Sequence, residues 1–492
     1  YVFNTETDTE VAAGIIDDLY NEEGDMLKAL NKATYVLKGS YAFNIINDDY
    51  PDTIFGIRKD SPLIVGTSNE GNILASDIPA IIHVTNKYII LNNYDIVVLT
   101  KDNIKYYDRD LNEIHKDIKI FNGDSEEISK NGYDHYMLKE INEQPTAVKT
   151  TITPRITDSM PDFSAEGFDA AKLSSYNKIY IVACGTAMHA GMVGKYVIEK
   201  LARIPVIVDI ASEFRYRDPL IDKEDLVILI SQSGETADTK AALELAKLNG
   251  ADTLAIVNVK GSSIARAADM VVYTHAGPEI SVASTKAYET QLIAFYVLGL
   301  YFGELKGTLD NKLSEEIKEE LLGLPEKVEL ILNKKDELQK YASKHYMNKD
   351  LFFLGRGVDY AVALEGSLKL KEISYIHSEA YAGGELKHGP IALIEKDTPI
   401  IALLTEDRLK DKMISNIREV VTRGAKVLGI AIEGDEDAKE VCDDIVYIPR
   451  TNPLLTPVLS VVPLQLIAYY MAKQKACDVD KPRNLAKSVT VE

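Results

Sequence analysis

Cysteine is scarce in this chain. Only Cys184, Cys442 and Cys477 occur among 492 residues, scattered and without metal-ligand spacing. That excludes a disulfide framework and points to a reducing, cytoplasmic compartment. Long apolar runs are missing as well. The longest, around residues 459–472, is too short or too interrupted to span a bilayer, which takes about 20 consecutive apolar residues. No signal peptide is recognisable. Positive charge is in deficit: 55 Lys and Arg stand against 76 Asp and Glu, a formal net charge of −21. A surface of that sign disfavours nucleic acid, whose phosphates reward basic residues. It does not exclude a single small phosphate, which needs only local donors. A G-x-x-x-x-G-K-[ST] pattern is absent, so a nucleotide P-loop is not expected.

What is present is a long, divided chain. Its length implies two to four domains, and 46% hydrophobic residues suffice for large cores. The chain opens on Tyr1 and enters an acidic helix start at once, so it reads as a fragment whose beginning is absent. Residues 1–125 alternate two amphipathic helices (Val11, Ile15, Ile16 and Leu19 mark the first) with short β-like runs at 41–46, 53–58, 63–67, 88–91 and 95–99. Turn residues separate these runs, as expected of an α+β, largely antiparallel meander. Residues 126–160 are polar, with Pro145 and Pro154, and read as a linker.

From residue 161 onward strands alternate with helices, the signature of parallel α/β units. The pattern repeats. Gly185 ends the apolar run 179–183, and Gly357 stands in the same place after 351–354. Glu213 and Glu385 each follow their glycine by 28 residues, the two sets lying 172 apart. Two tandem domains are therefore expected at 161–305 and 341–476, joined by a helical connector at 306–340 and followed by a tail at 477–492. Ligands of such open sheets sit beyond the carboxyl ends of the strands.

The most informative stretch lies there: Ser231-Gln232-Ser233-Gly234-Glu235-Thr236, between an apolar strand and a helix. Hydroxyls at a helix start suit a phosphate, because unpaired N–H groups and the helix dipole favour an anion. They also suit plain helix capping. The second repeat has Thr405-Glu406-Asp407-Arg408 in that place, whose carboxylates would repel a phosphate. It carries instead Glu365, Lys369 and Glu372, spaced i, i+4, i+7 on one helix face. That face is either a solvated charged stripe or, flanked by Leu364, Leu368, Leu370 and Ile373, a buried acid–base pair fit to move a proton beside a carbonyl. His388, before Gly389-Pro390, is either structural or an acid–base group suited to ring opening. Residues 279–286 pack small side chains where a ligand could approach, or merely cap a helix. The tail from Asp480 has the composition of one that frays, although an ordered tail would bring Lys487 over a site, where its amine could form an imine with a carbonyl sugar.

These motifs together resemble the glutamine–fructose-6-phosphate aminotransferase (isomerising) family. The resemblance rests on Ala183-Cys184-Gly185-Thr186, on residues 211–216, 231–239, 279–286, 364–375 and 385–390, and on the tail 483–492; it extends through the whole chain. It implies two sugar isomerase (SIS) domains with parallel sheets flanked by helices, preceded by the α+β later part of an N-terminal-nucleophile glutaminase domain. It implies fructose 6-phosphate and glutamine as substrates, glucosamine 6-phosphate as product, no cofactor and no metal. Ser231, Gln232, Ser233 and Thr236 would hold the phosphate. Thr186 and Val282, Ala283 and Ser284 would line the sugar, with Glu279, Glu365 and Ala486 in the same set. Glu372 would move a proton between C1 and C2, with Lys369 beside it. Lys487 would form an imine with the open-chain sugar. His388 would open the ring from the neighbouring subunit, which makes a homodimer. Asp8 would grip the amino group of glutamine.

Two departures stand out. Ala187 follows Thr186 where bacterial members carry serine, which leaves one sugar hydrogen bond of the family without its hydroxyl. The glutaminase nucleophile is an N-terminal cysteine, and this chain begins at Tyr1, so it is expected to keep the sugar chemistry and lack glutamine hydrolysis. The remaining readings are a related sugar-phosphate isomerase or deglycase, and a sugar-phosphate-sensing regulator that would need the turn but not Lys369, Glu372 and Lys487.

Overall fold

The computed structural model describes residues 3–76, 78–82, 84–120, 129–157 and 160–490. It divides into two compact units, residues 1–129 with 489–492, and residues 130–488. The last two residues of the tail motif lie outside the described residues.

In the N-terminal unit, the helix Asp8–Glu23 ends at Gly24, which takes the left-handed conformation of a C-cap, and Asp25 then caps the helix Met26–Val36 by accepting the Lys28 N–H. The strands form two antiparallel sheets. One has the order Tyr41–Ile45, Ile54–Lys59, Ile96–Leu99, Ile104–Tyr107, Glu113–Ile114; the other has Gly71–Ala75, Ile64–Ser68, Lys87–Ile90, Lys119–Ile120. Alternate residues fill two small cores, one around Leu30, Phe55 and Ile57, the other around Val65, Ile89 and Val97. The α+β reading of this part matches these elements.

The larger unit holds two five-stranded, all-parallel sheets. In the first, Lys178–Ala183 lies between Val206–Ile210 and Asp225–Ser231, and Asp252–Val257 and Met270–Tyr273 follow outward. In the second, Asp350–Gly355 lies between His377–Ala382 and Pro399–Leu404, followed by Lys426–Ile432 and Asp444–Ile448. The strand order is the same, so the internal repeat is a repeat of topology. Gly185 and Gly357 each follow the first strand of their sheet in chain order, with positive φ, 53° and 58°. The central strands are buried on both faces, which is why they read as unbroken apolar runs.

Between the sheets runs a shared helical core: Gly185–Leu201, Lys286–Leu305, Val358–Ser374 and Thr456–Gln474. The last corrects the reading of 459–472 as too short to span a bilayer: it belongs to the stretch Pro453–Gln474, which is long and apolar enough to cross a membrane by length and composition, and 94% of its apolar window is buried inside the fold. Its apolarity is spent on packing against Val358–Ser374.

Residues 126–160 depart from the linker reading. They contain the helices Tyr136–Asn142 and Gln144–Ile152, whose Met137, Ile141, Val148 and Ile152 enter the core of the first sheet. Pro145 stands in the first turn of the second helix, where its missing N–H costs nothing. A proline read as a breaker is here a helix start.

Candidate active site

The turn after Asp225–Ser231 is built from hydroxyls that bond one another. Ser231 Oγ lies 2.9 Å from Thr236 Oγ1 and accepts the Gly234 N–H, while Ser233 Oγ accepts the Glu235 N–H at 3.2 Å. Gly234 has φ 66°, and a Cβ there would meet Ser262 Oγ at 2.0 Å, so the turn closes only around glycine. Thr236 precedes the helix Ala237–Leu248 without making a side-chain cap bond to it. Plain capping therefore does not account for the hydroxyls. Gln232 is half-buried beside them, and its backbone carbonyl accepts the Asn258 N–H.

The second repeat fills the matching turn with its own anion. The buried Asp359 carboxylate accepts the Thr405 N–H, the Thr405 hydroxyl and the Glu406 N–H, at 2.9, 2.5 and 3.2 Å. Burial pushes its carboxyl up to about 6, against the pull of those bonds.

On Val358–Ser374, Glu365 and Lys369 are 0% and 1% exposed, so the charged face is not a solvated stripe. Lys369 Nζ is 2.6 Å from Glu372 Oε2 and 3.5 Å from Glu365 Oε1, and donates to Thr186 Oγ1 at 2.9 Å. Thr186 donates in turn to Glu365 Oε1 at 3.1 Å. Glu365 Oε2 meets His189 Nδ1 at 2.8 Å. Burial alone would lower the Lys369 ammonium, but the charges of Glu372 and Glu365 outweigh it and hold the group above its ordinary value. Glu372 keeps 22% side-chain exposure, so of the three charged residues on this helix face it is the one open to a ligand.

The tail does not fray. Asp480 accepts the N–H groups of Tyr136 and Met137, each at 2.9 Å, and so caps the helix Tyr136–Asn142; its carbonyl accepts the Val282 N–H at 3.0 Å. Arg483 lies 4.2 Å over the Tyr375 ring, and its N–H donates to the Tyr375 hydroxyl. Lys487 Nζ then reaches Glu279 Oε2 at 2.6 Å and Ser284 Oγ at 3.4 Å, and Ser488 Oγ lies 2.9 Å from Ser233 Oγ. Glu279 also accepts the N–H groups of Thr285 and Ala287, capping the helix Lys286–Leu305. Burial would raise its carboxyl, but the Lys487 charge and hydrogen bond hold it below its ordinary value. Its field also reaches Lys369.

Three groups thus meet at the carboxyl ends of the first sheet and the facing helix: the hydroxyl turn, the Thr186–Glu365–Lys369–Glu372 network, and the loop of Glu279 and Val282–Ser284 under Lys487. Ala283 is buried, Val282 and Ser284 are half-buried, and Ala486 is exposed. His388 is not brought in. It ends the short helical turn Gly383–His388, exposed, and makes no hydrogen bond or ion pair with this group among the described residues. Asp8 opens the first helix of the N-terminal unit, exposed. Sequence reasoning missed His189, Asp480, Ser488 and Glu140. His189 could have been found, since it lies one helical turn after Thr186; the others become legible only when the tail and the helix Tyr136–Asn142 are placed in space.

The SIS domain family matches twice, at residues 172–301 and 346–473. The whole chain aligns at 57% identity with 81% of a glutamine–fructose-6-phosphate aminotransferase (isomerizing) from Clostridium acetobutylicum, and at 44% with 80% of the one from Thermus thermophilus. Among solved structures, the C-terminal domain of glucosamine–fructose-6-phosphate aminotransferase from Francisella tularensis covers 72% of this chain and all of its own length, at 42% identity and TM-score 0.68. A glucosamine-6-phosphate deaminase from Thermotoga maritima shares the fold at 23% identity and TM-score 0.56, covering 72% of this chain and 99% of its own. With two SIS domains and identity of 57% over its whole length, the chain belongs to the glutamine–fructose-6-phosphate aminotransferase (isomerizing) family.

Proposed function

We propose that this chain carries the sugar chemistry that aminates fructose 6-phosphate with ammonia and isomerises the product to glucosamine 6-phosphate, the ammonia coming from glutamine where a complete glutaminase domain is present. The observation that carries this reading is the placement of consecutive tail residues. Ser488 touches the hydroxyl turn while Lys487 sits on Glu279, so an amine stands within one sugar's reach of a phosphate site.

In this reading Ser231, Gln232, Ser233 and Thr236 receive the phosphate, and Thr186, Glu365, Val282, Ala283, Ser284 and Ala486 border the sugar. The chemistry needs the open chain, and His388 is the group suited to ring opening. Its exposed position away from Glu372 suits delivery into the site of a second subunit, hence a homodimer. Lys487 attacks the C2 carbonyl, water leaves and an imine forms, with Glu279 taking and returning protons at the amine. Ammonia then displaces the lysine. Glu372 removes a proton from C1 and returns it to C2, while the C1 hydroxyl proton passes to the imine nitrogen; C1 becomes the aldehyde and C2 carries the amine, which converts the ketose imine to the amino aldose. Lys369 fixes Glu372 and balances its charge. Residues 1–125 serve the glutamine side, with Asp8 as partner of the glutamine amino group; residues 161–305 and 341–476 are the two sugar domains and 477–492 the active-site tail. The cytoplasm is where such substrates are met.

The test is the product formed from fructose 6-phosphate and ¹⁵N-labelled ammonia, read by NMR. Label at C2 of an aldose phosphate supports the proposal. Glucose 6-phosphate without label would mean an isomerase, and binding without turnover would mean a sensor.

A further inference from the structure

Glu140 lies on the helix Tyr136–Asn142, 2% exposed. Its Oε1 accepts the backbone N–H groups of Ile280 at 2.5 Å and Ser281 at 3.1 Å. Its Oε2 is buried with no hydrogen-bond partner among the described residues. Those two N–H groups open the loop that continues through Val282, Ala283 and Ser284. The loop's other end is held by Glu279, through the N–H groups of Thr285 and Ala287. Two buried carboxylates thus clamp one short loop, and Lys487 pairs with only one of them.

The charges around Glu140 come from every element packed on it. Glu279 and Lys286 face it from the loop and the helix that follows, and Lys487 from the tail. Asp480 caps its own helix. Lys139 and Glu143 flank it, and Glu143 holds both Lys139 and Lys286, at 3.3 and 2.7 Å. Burial and then Glu279 push the Glu140 carboxyl up to about 7, while Lys487, the Ile280 N–H and Lys286 pull the other way.

We propose that Glu140 is a positioning residue, whose ionised carboxylate holds the sugar loop in shape and whose protonation releases it. That the loop serves a sugar rests on the function proposed above; the clamp itself rests only on the contacts. A charged acceptor binds N–H groups more strongly than a neutral one, so the loop tightens as pH rises through neutrality.

The experiment is hydrogen–deuterium exchange of the peptide spanning residues 279–287, without sugar, one pH unit below and one above neutrality, corrected for intrinsic exchange. In the parent chain, protection is expected to rise about tenfold or more across that interval, the scale of a charge-assisted hydrogen bond. Glu140→Gln keeps an acceptor of the same shape but no charge, so its protection should be low and unchanged with pH. Glu140→Asp should retain a weaker pH dependence, which guards against loss through misfolding alone. A Glu140→Gln chain protected like the parent at both pH values overturns the inference, as does a parent whose loop ignores pH. The second readout is KM for fructose 6-phosphate in solvent exchange of its C1/C2 protons: it should rise below neutrality in the parent and stay raised and flat in Glu140→Gln, with kcat little altered. A parent that shows the pH-dependent loop but exchanges no sugar proton keeps the clamp and removes the sugar reading.

Discussion

At the scale of single residues, the site separates holding from reacting. Lys369 is buried and bound on several sides, whereas Glu372 shares one ion pair and keeps an open edge. Glu372→Gln preserves shape but cannot accept a proton. Exchange of the C1/C2 protons with deuterated solvent, followed by NMR, is expected to slow about 10²–10⁴-fold with affinity nearly intact. Unchanged exchange in the folded variant would reduce Glu372 to a paired helix carboxylate. The hydroxyl turn answers to a different measurement. Ser231→Ala with Ser233→Ala should weaken fructose 6-phosphate binding by about 1–3 kcal/mol, because charge-assisted bonds to the phosphate are lost. Calorimetry returning the parent affinity would contradict it. Both residues stood out in the sequence as a run of hydroxyls between a strand and a helix, and the structure shows each hydroxyl hydrogen-bonded within the turn. Asp359 was not: nothing in its surroundings along the chain announces that it fills the second turn from 46 residues away.

At the scale of elements, helices do more than their patterns suggest. Lys286–Leu305 is buried nearly all round, and within it Glu289 is fully buried with neither carboxylate oxygen hydrogen-bonded among the described residues. Burial raises its carboxyl well above the ordinary value. The unfolded chain gives up this proton near the usual glutamate value of about 4.3, and the folded chain keeps it. The unfolded state therefore binds fewer protons at neutral pH, and stability falls as pH rises from the unfolded value through the folded one. Glu289→Met should stabilise the protein at neutral pH by about 1–3 kcal/mol, the cost of an unpaired buried polar group. The gain should shrink toward acid pH. Calorimetric scans at several pH values check this, and an equal or negative difference throughout would count against it. The tail is an element of another kind. It is ordered by Asp480 capping a helix that sequence reading took for linker, so composition alone left open whether it frays or is pinned.

At the scale of the molecule, the repeat has divided its labour. The first sheet keeps an open hydroxyl turn, the second closes its own with Asp359 and carries, after its first strand, the helix of Glu365, Lys369 and Glu372, and the shared helical core packs against both sheets. His388 stands outside that site in its own chain, and the proposed dimer makes a sharp prediction. Mixing inactive His388→Ala and Glu372→Gln chains, with subunit exchange, should restore about a quarter of parental activity, since random pairing gives half mixed dimers with one intact site each. No recovery, with exchange verified by mass spectrometry, would place His388 in its own subunit's site or in none.

Features that depend on neighbours along the chain are readable from the residues alone. Apolar runs of strand length set between helical periods specified parallel α/β units, because strands covered on both faces must be apolar throughout. The equal spacing of Gly185 to Glu213 and Gly357 to Glu385 exposed the repeat, and the turn at 231–236 and the spacing of Glu365, Lys369 and Glu372 singled out the groups that the fold brings together. Tertiary structure alone decided what depends on burial and on contacts distant in sequence. Whether a charged helix face is solvated or enclosed, whether a tail frays or is pinned, and which carboxylate lies under which loop are settled by the free energy of desolvating charges against the partners that folding supplies. Those partners, Thr186 for Lys369, Glu279 for Lys487 and the Ile280 and Ser281 N–H groups for Glu140, lie more than a hundred residues away in the chain and a hydrogen bond away in the fold.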